Sequence, residues 1–334
     1  MAHFVFHRVL ESIIVDQLDK GPDSKMIGGN SLQLLKIYCS LVLRGKHMTR
    51  CFFVSDLHGS LARYRKLFNV IRKETPNVIF MGGDLLPSGL AVGAVTDVLH
   101  KDFINDFLVQ EFEKIKAELG NRYPRVFVIL GNDDPRFEES SMLAVAAQGL
   151  WEYINERCVS FEGYSVYGYS YVPPTPFMFK DWERYDVSRY VDPGCISPEE
   201  GSRSVPISQS QAKYLTISGD IQSMTKDHNL EHAIFLFHSP PYRSVLDRAA
   251  LDGKMIDYVP LDVHVGSIAI QRFIEERQPL ITLHGHIHES ARITGMWKEK
   301  VGRTHLFGAA HDESELALVS FDLKKPSSAS RRSI

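Results

Sequence analysis

The sequence predicts an α/β fold, and two observations carry that prediction. Five short apolar runs have the length and the β-branched and aromatic content of buried strands: Cys51-Phe-Phe-Val-Ser55, Val78-Ile-Phe-Met81, Val126-Phe-Val-Ile-Leu130, Ala233-Ile-Phe-Leu-Phe237 and Leu280-Ile-Thr-Leu283. Each runs into a loop dense in Asp, His, Asn and Gly, then into a stretch of helical period. The first two runs, with a helix around Leu61 to Lys73 between them, fill the roughly 30 residues that a βαβ crossover needs. Repeating that alternation places helices outside the sheets.

Taken in order, residues 1 to 47 read as a helical extension. Val9, Ile13 and Ile14 recur at helical spacing, as do Leu34, Leu35, Tyr38 and Leu41, with Gly28-Gly29-Asn30 as the break. Such amphipathic helices pack on the body of the protein or on a second copy, which would make a homo-oligomer. Residues 48–323 read as the main domain. Within it, Val159, Phe161, Val166, Tyr167 and Tyr169 alternate around the turn Glu162-Gly163, predicting a hairpin and a second, more antiparallel sheet. Residues 173–223, rich in Pro, Ser, Tyr and Asp, read as a long ordered excursion. The run Tyr169-Ser-Tyr-Val-Pro-Pro-Thr-Pro-Phe-Met-Phe179 at its start reads either as loop anchoring or as a stacking wall for a flat group. The polar, basic residues 324–334 read as a disordered tail.

Composition narrows the function classes. A chain of 334 residues with 44% apolar and 24% charged residues is an ordinary globular protein. The formal net charge of -3 disfavours nucleic acid held by charge. Cys39, Cys51, Cys158 and Cys195 form no paired spacing, so neither a disulfide framework nor a zinc ribbon is suggested. The N-terminus lacks the order of a signal peptide, and the Leu32–Leu43 stretch is too short to cross a bilayer, so the expected location is cytoplasmic with no membrane partner.

Chemistry concentrates where the strands end. The segments are Ser55-Asp56-Leu57-His58-Gly59, Gly82-Gly83-Asp84, Gly131-Asn132-Asp133-Asp134, Phe237-His238-Ser239 and His284-Gly285-His286-Ile287-His288. The carboxyl ends of strands are where ligand sites gather in α/β proteins. In an extended backbone, Asp56 with His58, and His286 with His288, would each point one way. Carboxylate, amide and imidazole suit Mn, Fe, Zn or Mg rather than a thiolate-seeking metal. Asp56, His58, Asp84, Asn132, His238, His286 and His288 oversupply one ion but suit two divalent ions sharing a carboxylate.

The order D-x-H, G-D, G-N-D, H and G-H-x-H resembles the calcineurin-like metallophosphoesterase family across residues of about 50 to 322. That resemblance implies a four-layer sandwich, two mixed β-sheets flanked by α-helices, with the metals at one end. It implies Asp56, His58 and His288 on the first metal, Asn132, His238 and His286 on the second, and Asp84 bridging both. It also implies attack by a metal-bridging hydroxide on a small phosphodiester, phosphomonoester or nucleotide, with a phosphodiesterase and manganese favoured. The third segment departs from the family's usual G-N-H by carrying Asp133. Asp133 reads as a general acid, as an acceptor behind the metal ligands, or as an Asx-turn before Pro135. Asn132 and Asp133 are thus the catalytic candidates. Arg243 and His264 are candidate substrate contacts, Arg243 through a bidentate clamp on phosphate. His284 shares the parity of His286 and reads as a packed strand histidine. The rival functions are a non-catalytic metal-binding scaffold and a metal-dependent nuclease, the latter requiring a basic groove.

Overall fold

A computed structural model describes residues 48–88 and 102–334; the helical extension expected over residues 1–47 lies outside the described residues. Thr49–Ile334 form one compact unit. The strands are β1 (Arg50–Val54), β2 (Val78–Gly82), β3 (Arg125–Ile129), β4 (Glu152–Tyr153), β5 (Arg157–Phe161), β6 (Tyr164–Tyr169) and β7 (Ala233–Phe237). There follow β8 (Met255–Ile256), β9 (Val259–Pro260), β10 (Ile281–His284), β11 (Lys298–Val301), β12 (Thr304–Gly308), β13 (Ala317–Asp322) and β14 (Lys325–Ser333). One six-stranded sheet has the order β14-β13-β1-β2-β3-β4 and the other β11-β12-β10-β7-β6-β5.

Both sheets are mixed. In the first, β1, β2, β3 and β4 run parallel, β13 runs antiparallel to β1, and β14 runs antiparallel to β13. In the second, β6, β7, β10 and β12 run parallel, while β5 and β11 pair antiparallel at its edges. The expected hairpin is the β5–β6 pair, but the sheet it joins is no more antiparallel than its partner. The crossovers through the helices Ile217–Thr225 and Ile268–Arg277 keep its centre parallel.

Strand residues alternate between two apolar environments. Cys51, Phe53, Phe80, Phe127, Val166, Ile234, Leu283 and Phe307 pack together between the sheets. Their neighbours Phe52, Val54, Ile79, Val126 and Phe235 face outward onto helices. Two buried faces are why these strands read as continuous apolar runs rather than alternating ones. The helix Leu61–Glu74 shows how the outer layer is set. Ser60 caps it by accepting from the Arg63 amide, Thr75 ends it in the left-handed conformation, and Tyr64, Leu67, Phe68 and Ile71 are buried.

One expectation is revised. Residues 324–334 are not a disordered tail, because β14 pairs antiparallel with β13, Ala317 opposite Ser333 and Leu318 opposite Arg332. Pro326 and Ala329 are buried, Arg331 donates to the Ala310 carbonyl at 2.8 Å, and Arg332 reaches Glu74 at 2.8 Å. Edge strands carry proline and charge on their free side, so the composition resembled a tail. Of the two readings of the aromatic run, burial supports the anchor, with Tyr169, Tyr171 and Val172 buried and only its tip, Pro176, Phe177 and Met178, exposed.

The excursion is held from within. Lys180 and Glu183 are fully buried and paired at 2.5 Å, and Thr175 donates to Glu183. Trp182, also fully buried, donates its indole N–H to the Asp134 carbonyl at 2.8 Å. The excursion therefore packs on the loop after β3. No helix among the described residues is long and apolar enough to cross a membrane.

Candidate metal centre

The loops after β1, β2, β3, β7 and β10 converge at one end of the sandwich, stitched by backbone hydrogen bonds. Asp56, His58 and Gly59 amides donate to the carbonyls of Gly83, Asp84 and Leu85 at 3.0, 2.8 and 2.9 Å, and the Gly285 amide donates to the His238 carbonyl at 2.9 Å. The backbone there is not extended as the spacing suggested. Asp56, His58, Asp84 and His286 all have positive φ, at 57°, 46°, 51° and 73°. Each such residue costs of order 1–3 kcal/mol and persists only where surrounding bonds impose it.

Glycine is required where two loops touch. A Cβ on Gly131 would lie 2.3 Å from Asp84 Oδ1 and 2.7 Å from His238 Cε1, and one on Gly285 would overlap Ser55 Oγ and lie 2.7 Å from Asp56 Oδ2. The absence of these side chains lets Asp84 and Asp56 occupy their positions.

Two groups of ligand atoms result. Asp56, His58, Asp84 and His288 form one, and Asp84, His238 and His286 the other, with the atoms of each within 4.8 Å of one another. Asp84 belongs to both. His58 Nε2 lies 3.1 Å from His288 Nε2 and 3.9 Å from Asp84 Oδ2, and His288 Nε2 lies 3.2 Å from Asp56 Oδ1. In the second group, His238 Nε2 lies 3.3 Å from Asp84 Oδ2 and 3.0 Å from Asn132 Oδ1. All seven expected ligands are thus brought together. The donor set of imidazole, carboxylate and amide without thiol fits divalent cations of the Mn, Fe, Zn and Mg group. Facing Nε2 atoms at 3.1 Å also approach the spacing of two ligands with bonds of about 2.1 Å to one cation.

Hydrogen bonds behind the cluster orient it. His238 Nδ1 is fixed by the Gly82 carbonyl at 2.8 Å, and His58 Nδ1 faces Asp133 Oδ2 at 3.1 Å. Asp133 also accepts from Ser88 Oγ at 2.7 Å, and its amide donates to Asp84 Oδ1 at 2.8 Å. Asp134, fully buried, accepts from the amides of Leu85, Leu86 and Gly131 at 2.9, 2.7 and 2.8 Å, tying the β2 loop to the β3 loop. Residue-type reasoning stopped at Asp133 and missed this role, although Asp134 stood in the same motif. Ser55, which bonds Asp56 Oδ2 closely, was likewise legible only as a strand end.

Charge in the cluster is finely opposed. Burial pushes His58 and His238 down, but the Asp133 bond for His58 and the Asp84 charge for His238 outweigh it and lift each to about 9. Burial and the neighbouring His238 depress His286 to about 3. Burial opposes ionisation of Asp56, yet the bond to His288 holds it at about 2, and His238 holds Asp84 well below the usual carboxylate range. Asp134 is raised to about 7 by burial and the nearby Asp84 charge. His284, whose nitrogens meet the Ser239 carbonyl and Thr282 Oγ1 at 2.9 and 2.8 Å, is depressed to about 4 by burial and is a packed strand histidine.

Neither of the two expected substrate contacts is a member of either ligand group. Arg243 is exposed, its guanidinium 5.2 Å from the Tyr242 ring and its amide bonded to Asp247 at 2.8 Å. His264 Nδ1 bonds Asp247 Oδ1 at 2.7 Å. The buried Asp247 organises both in one loop system after β7.

Two mixed sheets flanked by helices, with clustered metal-ligating side chains at one end, define a metal-dependent phosphoester hydrolase. The calcineurin-like phosphoesterase family model matches residues 49–290, and the chain belongs to that family. One solved structure, at 16% identity, covers 86% of this chain and 99% of its own with a TM-score of 0.51. TT1561 of Thermus thermophilus is similar at 15% identity over 86% of this chain and 99% of its own, with a TM-score of 0.47. A dimetal phosphatase from Danio rerio is similar at 11% identity over 83% and 96%, with a TM-score of 0.43. No curated protein matches the chain significantly in sequence.

Proposed function

We propose that the chain is a dimetal phosphodiesterase acting on a small phosphodiester, with manganese as the favoured metal. The observation that carries this reading is the sharing of Asp84 by two groups of ligand atoms. Asp56, His58, Asp84 and His288 would hold one cation, and Asp84, Asn132, His238 and His286 the other. Cations bound there supply Lewis acidity and a water of lowered pKa. The chain's own contribution is positional. Gly82 and Asp133 fix the tautomers of His238 and His58 through their Nδ1 atoms, and Asp134 clamps two of the loops together.

Asp133 is better suited to holding His58 than to donating a proton to a leaving group. One of its oxygens faces His58 and the other accepts from Ser88. Arg243 and His264 remain candidates for the distal part of the substrate. The cytoplasmic location expected from the sequence is part of the same proposal.

The test is hydrolysis of a chromogenic phosphodiester beside the matching monoester by metal-stripped protein reloaded with Mn²⁺. Asp84→Ala and Asn132→Ala serve as controls. Diester turnover lost in both variants, with Asp84→Ala folded but depleted of metal, is the expected result. No turnover of either ester despite two bound metals would replace this reading with a non-catalytic metal-binding scaffold.

A further inference from the structure

Away from the ligand groups, three guanidinium groups line one recess. Arg136, Arg184 and Arg203 share it with Tyr171, Glu183 and Ala212. It is open to solvent, and its inner space is about 40 Å³. That inner space suits about three waters, or one phosphate group.

Two of the three guanidiniums already have carboxylate partners, and the third does not. Glu183 is already committed to Lys180. Arg184 pairs with Glu156 at 3.0 Å and with Asp220, and Arg136 pairs with Glu139 at 3.5 Å. Arg203 donates to the carbonyls of Lys180 and Pro198, the latter at 3.0 Å, and forms no direct ion pair among the described residues, the buried Asp181 carboxylate acting on its charge only from a distance. A second observation points to a ligand. Tyr171 is 1% exposed and its hydroxyl has no hydrogen-bond partner among the described residues, while Arg184 lies 3.6 Å from its ring centre. An unpaired buried hydroxyl is destabilising, and an incoming acceptor would recover that loss.

We propose that this recess binds a small dianion of the phosphate class, with Arg203 and the Tyr171 hydroxyl donating to its oxygens. Arg136 and Arg184 supply further charge. The recess adjoins the metal-bearing loop, since Arg136 follows Asp134-Pro135 and its guanidinium lies 5.3 Å from the Trp182 ring that bonds the Asp134 carbonyl. The phosphate is either free or carried by the substrate, and the binding itself does not rest on the hydrolytic reading.

The experiment is titration calorimetry of inorganic phosphate into full-length protein, in the metal-loaded form and in an Asp84→Ala background that removes binding at the metals. Phosphate should still bind in the Asp84→Ala protein. Arg203→Gln, or Ala212→Glu as a second variant that places a carboxylate on the wall, should weaken it about tenfold or more, as loss of a charge-assisted hydrogen bond does. Tyr171→Phe should weaken phosphate severalfold while keeping or raising the melting temperature. Absence of phosphate binding in Asp84→Ala, or affinity unchanged by Arg203→Gln and Ala212→Glu, would overturn the proposal. The source is read from Michaelis constants in Arg203→Gln. A rise confined to an aryl phosphoester bearing a second phosphate assigns the recess to the substrate. No rise, with weaker phosphate binding, assigns it to the free anion.

Discussion

The close approach of Gly131 to Asp84 offers a direct test of how the site is built. In Gly131→Ala the added methyl would start 2.3 Å from Asp84 Oδ1, 2.5 Å from the Asp84 amide nitrogen and 2.7 Å from His238 Cε1. Gly131 does not lie in the left-handed region, so alanine is conformationally permitted and the perturbation is steric alone. Van der Waals contact requires about 3.3 Å or more, so Asp84 must retreat by about 1 Å, and overpacking of this kind costs about 1–3 kcal/mol. Because Asp84 serves both ligand groups, that displacement disturbs both together. A misplacement of about 1 Å is worth about 100-fold in rate. The assay pairs metal content by mass spectrometry with Mn²⁺-loaded hydrolysis of an aryl phosphoester, beside thermal unfolding. Gly163→Ala is the control, because nothing lies within 4 Å of a Cβ there, although its φ of 86° carries strain. It should cost stability alone. Full metal content and a rate within about twofold of wild type in Gly131→Ala would refute the argument that this close approach sets the position of Asp84.

Further outcomes follow from other parts of the structure. Lys180→Met leaves Glu183 buried without its partner and should cost about 3–5 kcal/mol in urea unfolding, whereas Lys180→Met with Glu183→Leu should recover much of it; equal losses in the two proteins would contradict the pairing. His284 has its folded value depressed to about 4, so the unfolded chain binds the extra proton first. Stability is therefore full above about pH 6.5 and falls by up to about 1.4 kcal/mol per pH unit toward pH 4. His284→Gln should flatten that part of the profile, and an unaltered slope would remove His284 as its source. Asp133→Asn should weaken metal binding about 10–100-fold and slow esters with good and poor leaving groups alike. Selective loss on poor leaving groups would instead make Asp133 a proton donor. Asp134→Ala removes the acceptor for three buried amides and should destabilise the fold as well as the site; a variant of wild-type melting temperature would show that the clamp is dispensable.

The layers and the inventory of the site were legible in the sequence. Strands buried on both faces, such as Cys51–Val54 and Val78–Met81, must be apolar at consecutive positions, and that demand is visible without coordinates. The polar groups that interrupt such runs at strand ends have no packing reason to be there, so Asp56, His58, Asp84, Asn132, His238, His286 and His288 stood out. Tertiary structure alone decided what those groups do to one another. Spacing suggested an extended backbone for Asp56 and His58, whereas the two are held at positive φ by the Gly83 and Asp84 carbonyls, partners that lie in another loop. It also decided that Asp133 serves His58, that Asp134 joins two loops, and that basic residues of the C-terminus form an edge strand. The convergence of Arg136, Arg184 and Arg203 on Tyr171 is of the same kind. Local pattern reports which residues face a core, because burial is enforced residue by residue along a strand. Pairing of distant polar groups depends on where separate loops meet, and no period in the chain encodes that.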